Sequence, residues 1–123
     1  MYITTTKEYF PNTSVIVIKT NAKHFSKALQ NFKGMEDEFR GFTIIDTENH
    51  LDMIILNRDG IEDDMIETII IAHELGHINV GLDEEDADRY ALNLLADSNF
   101  VEEYELLKSQ WEIRHGKPFV FKA

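Results

Sequence analysis

A chain of 123 residues with 43% hydrophobic and 11% aromatic side chains can bury one core but not two, so a single domain over 1–123 is expected. The absence of cysteine excludes disulfides and thiolate metal sites and fits a reducing compartment. The net charge of −11 is uneven: residues 1–58 balance seven acids with seven Lys/Arg, whereas 59–105 carry fifteen acids and one base, Arg89. Such a surface repels a phosphate backbone, so nucleic acid is not an expected ligand. The acids serve solubility and helix starts; a sharper reading is a field that concentrates a metal cation and favours basic peptide segments. Met1-Tyr2-Ile3 leads straight into polar residues without the apolar core of a signal peptide. No apolar run approaches a membrane span, and a soluble, cytoplasmic protein with no membrane partner is expected.

Ser14-Val15-Ile16-Val17-Ile18 is short and β-branched and reads as a buried strand. Asn21 is placed to cap a helix with Phe25, Ala28, Leu29 and Phe32 on one stripe and Gly34 at its end. An acidic connector, Met35 to Arg40, leads to Gly41 and a strand over Phe42 to Asp46. The turn-like Thr47-Glu48-Asn49-His50 joins it to a strand over Leu51 to Asn57, which suggests an antiparallel hairpin. Asp59 and Glu62 have capping-box spacing for the next helix, with Asp63 and Asp64 in its first turn. That helix, Met65 to Val80, must stop near Asn79 to Gly81. Asp83 caps a second helix with the stripe Ala87, Tyr90, Ala91, Leu94 and Leu95. Asn99 and Glu102 have capping-box spacing for a third, through Tyr104, Leu107 and Trp111 to Gly116 and Pro118, with Phe119 to Phe121 as an extended tail. The order predicts an α+β fold, a short mixed or antiparallel sheet with its helices packed on one face.

The chemistry is concentrated in His73-Glu74-Leu75-Gly76-His77, an H-E-x-x-H pattern inside a helix that is apolar on nearly every side. Residues four apart share a helix face, so His73 and His77 can both aim an imidazole nitrogen at one metal ion. Glu74 projects about 100° round from His73, where it can take a proton from a water whose pKa the ion lowers to about 7. Buried histidines and a buried glutamate need partners; a bound metal meets that need, and a hydrogen-bond network is the plainer alternative. A hydrolytic zinc site uses three protein ligands, and the next helix must supply the third. Glu84 and Asp88 are four apart on that helix, so Glu84 can ligate while Asp88 accepts the free ring N–H of a ligand histidine. Ala87 and Ala91 are small enough to let the two helices approach. Asp83, then Glu85 and Asp86, are the alternative third ligands. Tyr90, Tyr104 and His115 are candidates to stabilise a developing oxyanion by residue type alone.

The run H-E-L-G-H followed by E-x-x-A-D-x-x-A resembles the gluzincin metallopeptidases, especially the ImmA/IrrE-type family and more distantly the HtpX/Ste24-type peptidases. The resemblance covers about residues 42–96, including the hairpin that ends in Ile54-Ile55-Leu56-Asn57. It implies a small zincin-like domain with His73, His77 and Glu84 as zinc ligands, Glu74 as base and Asp88 behind a ligand histidine. Six residues separate His77 from Glu84, a shorter connector than these families commonly have, so the turn at Gly81 must be tight. In the metzincin register Asp83 would take the third position, but the glycine that register requires is Val80 here. A zinc-dependent peptidase acting on peptide or protein substrates is therefore expected. The alternative is a catalytically silent zinc-binding interaction module of the same fold.

Overall fold

The computed structural model describes residues 1–30, 40–46, 51–61 and 63–121. The expectations for Phe32, Gly34, the connector from Met35, the Thr47–His50 turn and Glu62 lie outside them. Four strands, β1 (Tyr2–Thr5), β2 (Ile16–Thr20), β3 (Gly41–Asp46) and β4 (Leu51–Asn57), form one mixed sheet in the order β1-β2-β4-β3. β2 and β4 run parallel with Val17 opposite Ile54, whereas β1 and β3 pair antiparallel on either side. The expected hairpin is thus present as β3–β4, with Thr43 opposite Ile54. β1 has no counterpart in the sequence reading, and β2 begins two residues later than Ser14 and runs on through Lys19 and Thr20.

Helix α1 (Ala22–Gln30) starts where Asn21 Oδ1 accepts the His24 N–H at 2.9 Å, the cap the sequence predicts. Helices α2 (Asp64–Val80), α3 (Glu84–Asp97) and α4 (Val101–His115) follow. The helices do not all lie on one face of the sheet, contrary to expectation. Val17, Ile54 and Leu56 point into the main core with α2, α3 and α4, whereas Ile55 and Phe42 point the other way and pack with Phe25 of α1. The cause is visible in β4: an unbroken run Ile54-Ile55-Leu56 presents apolar side chains to both faces, and both must be covered.

Two helix starts also differ from expectation. α2 is capped by Asp63, whose Oδ1 accepts the Ile66 N–H at 2.8 Å. Asp59 sits instead in a 3-10 turn, Arg58–Gly60, and its carboxylate accepts the Ala22 N–H at 2.9 Å, tying that turn to the start of α1. α4 begins after Phe100, without a side-chain cap; Asn99 has φ +62° and closes the end of α3. The tail has no regular structure, but Phe119 is buried against the Trp111 ring at 5.1 Å between centroids, and its N–H bonds Glu112. Among the described residues no helix is long and apolar enough to cross a membrane.

Candidate metal centre

The site forms where the second half of α2 meets the first turns of α3. A Cβ added to Gly76 would lie 2.5 Å from the Ala87 carbonyl oxygen, so the two backbones are in direct contact there. The connector is three residues long, Gly81 to Asp83, and Gly81 turns it with φ +107°, a conformation that favours glycine. Asp83 Oδ1 accepts the Asp86 N–H at 2.9 Å and starts α3. This close approach and short turn bring Glu84 over the α2 histidines.

His73 Nε2 and His77 Nε2 are 3.0 Å apart. Glu84 spans them, with Oε2 at 2.9 Å from His73 Nε2 and Oε1 at 3.2 Å from His77 Nε2. The opposite ring nitrogens are both engaged: His73 Nδ1 lies 2.7 Å from Asp88 Oδ1, and His77 Nδ1 lies 2.9 Å from the Gly81 carbonyl. A carbonyl oxygen only accepts, so His77 Nδ1 carries the proton, and the Asp88 carboxylate imposes the same tautomer on His73. In the neutral rings, both Nε2 lone pairs then face one another and a carboxylate.

Three converging lone-pair donors attract positive charge. A proton on His73 is one such charge. Burial opposes it, but the hydrogen bond and charge of Asp88, helped by Glu74 and Glu84, push the imidazole up to about 9. Burial likewise works to raise the Asp88 carboxyl, yet His73 and then Arg114 hold it below the usual carboxylate range. A metal ion fits the same place. Zinc bonds of about 2.0–2.1 Å at tetrahedral angles set ligand atoms about 3.3 Å apart. The three observed separations, 2.9, 3.0 and 3.2 Å, need only slight opening to match. His73, Glu74 and His77 also bring ligand atoms within 4.8 Å of one another. Glu84 is the better third donor, because both its oxygens already face the Nε2 atoms while Glu74 Oε1 accepts a hydrogen bond from Thr43 Oγ1 at 2.7 Å.

Glu74 is 2% exposed and sits beside the histidines on the wall of an open cleft of about 490 Å³. Thr43, on β3, donates to its carboxylate and lies 3.3 Å from its carbonyl oxygen. Arg114 of α4 donates through Nη1 to Asp88 Oδ2 at 2.8 Å and lines the same cleft. Asp83 is not brought to the histidines, being occupied as the α3 cap, and Glu85 pairs with Arg89 instead. Tyr90 packs at the core edge, Tyr104 stacks on Phe121 and His115 lies against Trp111; none of the three lines the cleft. Thr43 and Arg114 are not among the residues the sequence motif points to. Only Thr43 left a signal: it alternates with Phe42 and Ile44, which face α1, so its own side chain must face α2. No protein-family model, curated protein or solved structure matches the chain.

Proposed function

We propose that the chain is a zinc-dependent metallopeptidase of gluzincin type, resembling the ImmA/IrrE-type family and acting in the cytoplasm. The observation that carries this reading is the convergence of His73 Nε2, His77 Nε2 and the Glu84 carboxylate within 3.2 Å, beside Glu74 and open to a cleft. His73, His77 and Glu84 would hold the ion. When bound, zinc supplies a lowered water pKa and polarisation of the scissile carbonyl.

The chain's own residues do the rest. Glu74 takes the proton from the attacking water and returns it to the leaving amine. Thr43 fixes the rotamer of Glu74, so its carboxylate is already oriented. Asp88 locks His73 in the tautomer that leaves Nε2 able to ligate, and the Gly81 carbonyl does the same for His77. β3 pairs with β4 alone among the described residues, and Gly41 brings it to the cleft. A substrate lying extended along that edge would bond main chain to main chain.

The test is Glu74→Gln. It should keep one zinc per chain and abolish hydrolysis; unchanged turnover would remove Glu74 as the base. The low exposure of Glu74 favours a second reading, a zinc-bearing interaction module without turnover. Zinc bound to the unsubstituted protein, no cleavage across a broad peptide screen and a stable protein partner would select that reading.

A further inference from the structure

The acidic surface of residues 59–105 suggests a cleft for basic peptides, but the cleft itself carries two cations, Arg40 and Arg114. We infer that Arg114 makes the cleft selective for peptides that carry a carboxylate close to the reacting bond. This rests on the peptide-binding reading of the site given above and names its substrate class.

Arg114 projects from the last turn of α4 and is anchored by one bond, Nη1 to Asp88 Oδ2 at 2.8 Å. Its partner is 4% exposed, yet the arginine side chain remains 55% exposed. A guanidinium has five N–H donors in a rigid plane, so one anchored nitrogen orients the fork while other donors remain available on the cleft side. Asp88 divides its charge, giving Oδ1 to His73 and Oδ2 to Arg114, so it does not silence the guanidinium. Ile69 and Leu107 form apolar wall in the same cleft. With a dication bound, Arg40, Arg114 and the ion together outweigh the carboxylates of Glu74, Glu84 and Asp88 by one charge. An incoming carboxylate would complete that balance and form a charge-assisted pair with the fork. The isosteric amide could make only the weaker neutral bond.

The carboxylate could come from an Asp or Glu side chain or from a peptide C-terminus. Three randomised peptide libraries separate these sources: acetylated and amidated with one fixed central Glu, the same with Gln, and the Gln library with a free C-terminal carboxylate. Each is offered to zinc-loaded Glu74→Gln protein for binding and to the unsubstituted protein for cleavage. The expected result is about tenfold tighter binding of one carboxylate library than of the amidated Gln library. Adding Arg114→Gln should bring that ratio close to one while zinc stays at one per chain, and Arg114→Lys should keep part of it. The Lys variant also serves if the Gln variant fails to fold. Equal or absent binding of all three libraries overturns the inference, as does a preference that survives both substitutions at Arg114. Cleavage without preference would leave the peptidase reading standing and remove this one. Preference in binding with no cleavage by the unsubstituted protein would do the reverse.

Discussion

Gly76 and Ala87 touch through their backbones: a Cβ on Gly76 would sit 2.5 Å from the Ala87 carbonyl oxygen and 2.8 Å from its Cα. The contact sets the spacing between α2 and α3, and that spacing decides whether Glu84 reaches His73 and His77. Gly76→Ala must push α3 outward, since backbone cannot give way as a flexible side chain can. Overpacking of this kind costs about 3 kcal/mol. The expected outcome is a clear fall in melting temperature together with loss of bound zinc. An unchanged melting temperature with full zinc content would mean that the helices are not held this closely.

Thr43 supplies a hydrogen bond to a nearly fully buried carboxylate, and its loss should be felt by Glu74 alone. Thr43→Val keeps the shape and removes the donor. A hydrogen bond to a charged group contributes about 1.5–3 kcal/mol, so kcat should fall by about tenfold to a hundredfold. KM and zinc content should change little, and Thr43→Ser should restore most of the rate. Equal loss in the Ser variant would assign Thr43 to packing rather than to orientation of the Glu74 carboxylate.

A second buried polar group ties the start of α2 to the sheet. Lys19 Nζ lies 2.5 Å from both the Tyr9 hydroxyl and Glu67 Oε1, and the Tyr9 hydroxyl also donates to Glu67. Burial, then the Glu67 hydrogen bond, pushes the Tyr9 phenol from its ordinary 10 up to about 12. Burial alone would lower Lys19, but Glu67 and Tyr9 outweigh it and raise the ammonium above its ordinary 10.5. Both folded-state values lie above the unfolded ones, so the folded state holds these protons longer. Their stabilisation is fully present below pH 10 and is lost as pH rises from 10 through about 12. Urea midpoints should therefore fall above pH 10, and Tyr9→Phe should flatten the first part of that fall. The same slope in Tyr9→Phe would show that Tyr9 takes no part.

What the sequence made legible is what local geometry determines. The four-residue spacings of His73 and His77 and of Glu84 and Asp88, the Asn21 and Asp83 caps and the turn at Gly81 each depend on neighbours within one or two helical turns. The choice of Glu84 over Asp83 rests on the Ala87-Asp88 pattern that follows Glu84; in the structure Glu84 faces both histidines, whereas Asp83 Oδ1 accepts the Asp86 N–H at the start of α3. Long-range contacts were not legible. Asp59 has good capping spacing but is drawn away by the Ala22 N–H, and nothing near Arg114 announces that it will reach Asp88. The placement of α1 was readable in principle from the two-faced apolar run of β4, because a strand with one wet face would alternate.

In the proposed function three side chains of α2 and α3 hold one metal ion, and elemental analysis of the protein purified without added metal decides whether they do. One zinc per chain is expected, retained in Glu74→Gln and lost in His73→Ala and Glu84→Ala. Protein that folds fully and carries no stoichiometric metal, or zinc that persists without Glu84, would contradict it.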